Sequence, residues 1–485
     1  MPEIFIDGRP LQARDDQTVM EVAREHDIEI PHFCWHPQLS VPGNCRVCVV
    51  EVEADGGGWC DIACNMPVSP GMRVRTDSER VRARRKETLQ FVTLNHPVDC
   101  GICDKAGECT LQDYHYRYNG ERSISQDAKE HATKFFALSE RIVLDNERCI
   151  LCTRCVRFTR EVSKSHSLGV QNRGDHSLIR PVGDGRFQSD PYSDNVIDLC
   201  PVGALLSRRF LHQARVWYLQ PTPSVCPGCE RGCNVDLWHR KPEWQLHKVD
   251  PARNARIERV TPRENPAVNG PWICNKGRDL ADVFGRERAT QPMLHGEVVG
   301  LSHALARARA LIAQARCPVA LVSSWGSNEE LAAFARVFGA RFTSFVKSDC
   351  QPAAGETVED ALLIKPDKNP NRAGALVHFA PLPGDSRAAF PPGTDLVLAW
   401  GQGVDLTALP AGARLVVLGA WPQPANGRAD VFLPISVQTE RAGHYTNFAG
   451  VVNGFEACFA KPPGVSDAVA LFDLIGAPQA AEVTP

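Results

Sequence analysis

Sixteen of the chain's 19 cysteines lie before residue 281 in short-spaced groups, and only Cys317, Cys350 and Cys458 follow. Thiols two or three residues apart are expected to hold metal or clusters before disulfides where the surroundings keep them reduced. The opening Met1-Pro2-Glu3-Ile4-Phe5-Ile6-Asp7-Gly8 has neither the charged leader nor the long apolar core of a secretory signal, which agrees with that reading. A four-thiolate set suits zinc or iron–sulfur, so the spacing has to decide.

In the first group, Cys34-x10-Cys45-x2-Cys48 is followed by Cys60 and Cys64. A close C-x2-C, one upstream Cys and one distant Cys follow the logic of plant-type [2Fe–2S] ferredoxins, with a longer first gap. The fourth ligand is contested between Cys60 and Cys64. Cys64 is favoured because Cys64-Asn65-Met66-Pro67 begins a Pro-marked turn able to return the thiolate to the loop; Cys60, beside Gly56-Gly57-Gly58, is then a spare thiol. The second group is His96-x3-Cys100-x2-Cys103-x5-Cys109. One His with three Cys is also a zinc combination, and in a cluster a neutral imidazole replacing a thiolate makes the site less negative.

The third group, Cys149-x2-Cys152-x2-Cys155, keeps three ligands of the C-x2-C-x2-C-x3-C-P run of two-cluster ferredoxins, but its local fourth position is Thr159. A lone Cys200-Pro201 follows 45 positions after Cys155, and the other positions of a second copy fall on Asp190, Ser193 and Val196. One ligand set survives, which predicts a ferredoxin-like fold with a single [4Fe–4S] on Cys149, Cys152, Cys155 and Cys200. The fourth group, Cys226-x2-Cys229-x3-Cys233-x40-Cys274, taken alone also reads as a zinc ribbon.

The elements that must position these ligands are legible in outline. An Asp7-Gly8 hairpin, a helix over 18–26 and a strand from Val47 to Glu53 give a β-grasp order around the first group. A helix over 78–95, with Leu89, Val92 and His96 on one stripe and ended by Pro97, would hold the imidazole at its end. Val235-Asp236-Leu237-Trp238 reads as a strand beside the fourth group. Further on, a strand at 318–322, a helix from the capping box Ser327-x-x-Glu330 to Gly339 and strands near 395–400 and 415–420 alternate as an α/β layer. The length of 485 residues allows three or more domains at roughly 100–200 residues each. No apolar run reaches the roughly 18 residues needed to span a bilayer. A formal charge of −3 gives no global reason to bind nucleic acid, and Arg80, Arg82, Arg84, Arg85 and Lys86 read as a solvated or partner-facing helix side. Gly401-x-Gly403 lacks the third Gly of a dinucleotide motif, and Cys350 reads as a buried or idle thiol before a molybdenum ligand.

The ordered set of four motifs, including Asn95-His96-Pro97-Val98-Asp99-Cys100 and Cys103-Asp104-Lys105-Ala106-Gly107-Glu108-Cys109, resembles the large iron–sulfur subunits of respiratory complex I, the G-type subunits of NADH-quinone oxidoreductase. The resemblance covers residues 1 to about 280. It implies one [2Fe–2S] cluster on Cys34, Cys45, Cys48 and Cys64, and [4Fe–4S] clusters on His96, Cys100, Cys103 and Cys109, on Cys149, Cys152, Cys155 and Cys200, and, off the main path, on Cys226, Cys229, Cys233 and Cys274. The implied fold is α+β and multi-domain: a [2Fe–2S] β-grasp domain over 1–78, a one-His, three-Cys domain over 79–119, a ferredoxin-like [4Fe–4S] domain over 120–216 and a molybdopterin-oxidoreductase-type [4Fe–4S] domain over 217–280. A shortened molybdopterin-oxidoreductase-like α/β domain without molybdopterin then covers 281–485, where Ala429-Asp430-Val431-Phe432-Leu433-Pro434 to Gly443-His444-Tyr445-Thr446-Asn447 is similar to that superfamily. The implied role is an electron relay from a flavin-bearing, NADH-oxidising partner toward quinone, among other peripheral-arm subunits, with no complete active site in this chain. The place is the cytoplasmic side of a bacterial inner membrane, reached indirectly. The rival is the iron–sulfur subunit of an NAD-linked formate dehydrogenase or hydrogenase, and a third reading is a zinc scaffold without redox function.

Overall fold

A computed structural model describes residues 1–55, 57–134, 136–245 and 251–477, so the expected glycine turn at Gly56 and the last residues of the C-terminal domain lie outside the described residues. The chain divides into two compact units, Met1–Tyr218 and Leu219–Pro485.

In the first unit, β1 (Glu3–Ile6) and β2 (Arg9–Gln12) form an antiparallel hairpin across Asp7 and Gly8, both at positive φ (49° and 78°), the conformation a tight hairpin turn demands. Helix α1 (Val19–Glu25) starts at a capping box: Glu21 N donates to Thr18 Oγ1 while Thr18 N donates to the Glu21 carboxylate. With β3 (Val49–Val52), β4 (Trp59–Ile62) and β5 (Arg73–Arg75) the sheet runs β2-β1-β5-β3-β4, with β1 and β5 parallel. The helix and this mixed sheet share a core of Ile4, Ile6, Val19, Val22 and Val50 that also takes in Cys48 and Cys64.

Helix α2 (Glu79–Thr93) is capped by Ser78 and stops before the expected residue 95. Thr93 Oγ1 turns back onto Leu89 O, and Lys129 Nζ donates to the carbonyls of Thr93, Leu94 and His96 (3.1, 2.8 and 2.7 Å). These bonds satisfy the open helix end and place His96 in the loop beyond it, off the helical stripe. The basic run is also not one solvated side. Arg80, Arg82, Arg84 and Lys86 pair with Glu51, Asp77, Glu87 and Glu121, but Arg85 is buried, donating to Val49 O and Thr76 O with its guanidinium over Tyr118.

After α3 (Thr110–Tyr114), strands β6 (Phe136–Ala137) and β7 (Ile142–Leu144), helix α4 (Arg154–Glu161), the hairpin of β8 (Leu168–Gln171) and β9 (Leu178–Pro181), and β10 (Leu205–Ser207) complete the unit, with sheet order β10-β7-β6. Asp190, Ser193 and Val196, where a second ferredoxin copy would have ligands, are buried. Asp190 accepts from Ser163 Oγ (2.6 Å) and Tyr192 N (2.8 Å), so that position is closed by hydrogen bonds.

The second unit opens with the antiparallel sheet β11 (Leu219–Val225), β12 (Asn234–Arg240) and β13 (Arg259–Pro262). An eight-stranded sheet follows from β14 (Met293–Leu294), β15 (Glu297–Val298), β16 (Pro318–Ser323), β17 (Thr343–Lys347), β18 (Ala380–Pro381), β19 (Leu396–Trp400), β20 (Arg414–Gly419) and β21 (Val431–Pro434). Its order is β15-β14-β21-β20-β19-β16-β17-β18, and the last six strands are parallel. Ala320, Val322, Leu396 and Leu398 face one core while Leu321, Val397 and Ala399 face another, so both faces are covered, as a parallel sheet requires. The expected capping box is present: helix Asn328–Phe338 starts at Ser327, whose Oγ accepts from Glu330 N.

Strand order reverses between β16 and β19, the place where doubly wound sheets commonly bind ligands. Here Asp349 fills much of it, accepting from Ser323 Oγ (2.9 Å), Ser324 N (2.8 Å), Lys347 Nζ (2.7 Å) and Gln402 N (2.9 Å). A Cβ on Gly401, itself at φ +90°, would lie 2.0 Å from Asp349 Oδ1. Gly401 therefore serves this close approach.

Candidate iron–sulfur centres

The first thiols meet because the loop before β3 and the turn after β4 come together on the β-grasp core. Cys34 and Cys45 share a thiol hydrogen bond, as do Cys48 and Cys64, and Cys45 also acts electrostatically on Cys48. The bond from Cys34 pulls Cys45 down to about 6, while the same pairing pushes Cys34 up; hydrogen bonding to Cys64 raises Cys48. Cys60 lies on β4 and its charged neighbours are Arg80, Glu51 and Arg84, none from the ligand loop. Arg46, inside the C-x2-C, has φ 59°, a left-handed conformation that costs a non-glycine residue about 1 kcal/mol or more.

Cys149, Cys152, Cys155 and Cys200 form a second constellation, each of the first three raised by burial and by its thiol neighbours, Cys152 to about 11. Leu151 and Thr153 lie between the ligands at φ 51° and 59°, and Leu151 N donates to Cys149 Sγ at 3.4 Å. This constellation abuts the first. Asn44 Nδ2 donates to Leu151 O (3.1 Å), Arg154 Nη2 to Trp35 O (2.6 Å), and Arg157 to the carbonyls of Cys34 and Ser40.

Cys100, Cys103 and Cys109 gather in the loop between α2 and α3, Cys109 pushed up to about 11 by burial. His96 is tied to them through Asp99 and Arg148, which act on both His96 and Cys103. Burial lowers His96 to about 4, so its imidazole is neutral, and its Nδ1 is buried without a hydrogen-bond partner. An orphaned buried ring nitrogen next to the loop that carries Cys100 fits a ligand. This loop in turn leans on the Cys200 segment: Thr110 N donates to Pro201 O (3.0 Å), and a Cβ on Gly203 would lie 2.2 Å from Cys103 Sγ. Arg215 donates to the carbonyls of Gly101 and Cys103.

In the second unit, Cys226, Cys229, Cys233 and Cys274 act on one another. Burial raises Cys226 and Cys233 strongly and Cys274 to about 11. Gly228 N donates to Cys226 Sγ (3.4 Å), and Lys276 and Arg231 supply positive charge. Mutually interacting buried thiols, backbone N–H groups aimed at sulfur and nearby guanidinium groups fit polynuclear iron–sulfur groups. Sequence reasoning missed Arg154, Arg157, Gly203 and Arg215. Only the placement of Arg154 and Arg157 next to the third ligand motif hinted at the first two.

Cys350 is half-buried and accepts a weak bond from Gln402 Nε2 (3.4 Å). No helix among the described residues is long and apolar enough to cross a membrane.

Comparison with known families gives four ordered matches: a 2Fe-2S iron-sulfur cluster binding domain over residues 2–79, the NADH-ubiquinone oxidoreductase-G iron-sulfur binding region over 85–123, the ferredoxin-like domain of NADH-quinone oxidoreductase subunit 3 over 139–206, and a molybdopterin oxidoreductase Fe4S4 domain over 219–284. Relatives include the NADH dehydrogenase [ubiquinone] iron-sulfur protein 1 of Solanum tuberosum (36% identical over 61% of this chain and 38% of that protein). The G-type subunit of the NADH-quinone oxidoreductase of Rickettsia prowazekii is 34% identical over 62% of this chain and 42% of its own length. The NADH-ubiquinone oxidoreductase 75 kDa subunit of Reclinomonas americana is 37% identical over 61% and 40%. The match thus spans about two-fifths of these relatives. A chain of an NAD+-reducing [NiFe]-hydrogenase in its H2-reduced state overlaps at TM-score 0.40 and 28% identity over 44% of this chain and 91% of that one, too low a score to argue from. Across residues 2–284 the four matched domains follow one another in order, and this stretch is similar to the large iron–sulfur, G-type subunits of NADH-quinone oxidoreductase.

Proposed function

We propose that this chain is the iron–sulfur electron-relay subunit of an NADH:quinone oxidoreductase, peripheral to the membrane on its cytoplasmic side and held there through partner subunits. The observation that carries the reading is contiguity: within one unit, the Cys34 loop lies against the Cys152 loop, and the Cys200 segment lies against Cys103. When bound, the four clusters supply one-electron carriers, which is the chemistry a relay needs. The chain's own residues do the rest. Ligands are proposed as Cys34, Cys45, Cys48 and Cys64; His96, Cys100, Cys103 and Cys109; Cys149, Cys152, Cys155 and Cys200; and Cys226, Cys229, Cys233 and Cys274. Backbone N–H groups bond to sulfur, buried arginines offset thiolate charge, and the surrounding core excludes water; these are the protein's levers on potential. Buried thiols raised by desolvation hold their protons until iron displaces them, so loading releases protons and adds to stability. Residues 281–485 act as a scaffold without molybdopterin, with Asp349 occupying the reversal point of the sheet.

Four such sets hold about fourteen iron atoms with matching sulfide. In the assembled complex, Cys152→Ala is expected to stop NADH-to-quinone transfer while a flavin-level artificial acceptor is still reduced. Unchanged quinone reduction, or stoichiometric zinc in fully loaded protein, would overturn the reading; NAD-linked activity without quinone would favour the formate dehydrogenase or hydrogenase alternative.

A further inference from the structure

Two arginines on α4 reach from one ligand loop to another. Arg157, 4% exposed, donates through Nη2 to Cys34 O and, at 3.3 Å, to Cys152 O, and through Nη1 to Ser40 O. One guanidinium edge therefore touches the backbone of a proposed ligand in each of two sets, at a sequence separation of 123 residues on one side and 5 on the other. Arg154 repeats the device one residue away from ligands, bonding Trp35 O (2.6 Å), next to Cys34, and Leu199 O (3.3 Å), next to Cys200. The acid that acts on Arg157 is Glu161, itself held by Ser40 N (2.8 Å), Ser40 Oγ (2.6 Å) and Arg160, so it does not form a hydrogen bond with Arg157.

Among the described residues Arg157 bonds only to neutral oxygens, so Glu161 offsets its charge without a hydrogen bond, and in the low local dielectric the remaining field acts on whatever lies on either side. Reduction adds one negative charge to a cluster, so a fixed positive charge beside it favours the reduced form. We propose that Arg157 is a shared positioning residue that raises the reduction potentials of both the Cys34/Cys45/Cys48/Cys64 and the Cys149/Cys152/Cys155/Cys200 clusters and fixes their separation. This rests on the relay reading. Its chemistry separates into two properties: the charge sets potential, while the planar fork, able to hold three carbonyls at once, sets spacing. Lysine keeps the first and lacks the second.

The test is a redox titration of the full chain followed by EPR, with iron and sulfide analysis of every variant. Arg157→Met is expected to lower both midpoints, each by at least a tenfold change in reduced-to-oxidised ratio at fixed ambient potential, about 59 mV for a one-electron couple. Arg157→Lys is expected to keep both potentials and to weaken the magnetic interaction between the two reduced clusters. Arg160→Met, on the same helix but 55% exposed in its side chain, is expected to change neither. The inference is overturned if Arg157→Met retains both clusters with unchanged potentials, if only one cluster shifts, or if Arg160→Met shifts them equally. Should Arg157→Met not load, Arg157→Lys decides: wild-type magnetic interaction with full iron overturns the positioning role. Absence of two distinct cluster signals in the unmodified chain would instead refute the relay reading.

Discussion

Replacing Gly203 with alanine tests whether the Cys103 thiol rests on the segment after Cys200. The new methyl carbon would stand 2.2 Å from Cys103 Sγ, 3.2 Å from Lys105 Cβ and 3.5 Å from Arg148 Cδ. Non-bonded heavy atoms settle at about 3.5–4.0 Å, so the sulfur has to withdraw by roughly 1.5 Å. Metal–ligand bonds tolerate displacements of only about 0.2 Å. Overpacking of this kind costs about 1–3 kcal/mol, too little by itself to unfold a unit of this size. Gly203 is not among the positive-φ glycines, so backbone strain adds nothing. The expected result is a folded chain with unchanged circular dichroism that has lost one [4Fe–4S] EPR signal and about four of fourteen irons. Gly101→Ala, beside Cys100 but with nothing within 4 Å of its added carbon, should keep full iron. Full iron and an unaltered spectrum in Gly203→Ala would refute the packing argument.

Cys64→Ala should abolish the [2Fe–2S] signal of the reduced protein and Cys60→Ala should leave it; the reverse result would exchange the two thiols' roles. Cys229→Ala should weaken folding or assembly of the second unit by removing a tie among four distant thiolates, while complexes that do assemble still reduce quinone; equal loss to Cys152→Ala in assembled complexes would put the fourth set on the path. Ser327→Ala removes the hydroxyl that accepts from Glu330 N and should cost about 1 kcal/mol, a fall of roughly 2–4 °C in the melting of the second unit, read by calorimetry; no shift would mean the cap is replaced by solvent.

Local chemistry made several elements legible in advance. Asp7-Gly8 marked its hairpin, Ser327-x-x-Glu330 its helix start, and the apolar runs at 318–322 and 395–400 their buried strands, because turn, cap and burial preferences act over a few residues. The end of α2 was misjudged because its closing partner, Lys129, lies 33 to 36 residues away in sequence from the carbonyls it binds. Arg85 looked like its exposed neighbours and is buried, since only the fold reveals that its turn of helix faces Val49 and Thr76. The spacing of the thiols picked out the candidate ligand groups, but not the contacts between them: Arg157 to Cys34 and Gly203 to Cys103 depend on how separate loops dock, and no periodicity encodes that.

The long reach of Arg157 has a consequence for how the protein is made. The Cys34 loop is translated early, yet its carbonyls are held by a helix that begins 120 positions later, and the third ligand set is incomplete until Cys200 leaves the ribosome. At about 5–20 residues per second, the first-made thiols wait roughly 10–30 s for the segments that enclose them. During that interval Cys34 and Cys45 lack the segments that enclose them and are open to oxidants and to competing metals. Iron delivered after synthesis has passed the Cys200 segment is therefore expected to load this unit more fully than iron delivered before it; equal loading of chains stopped short of Cys200 would refute this.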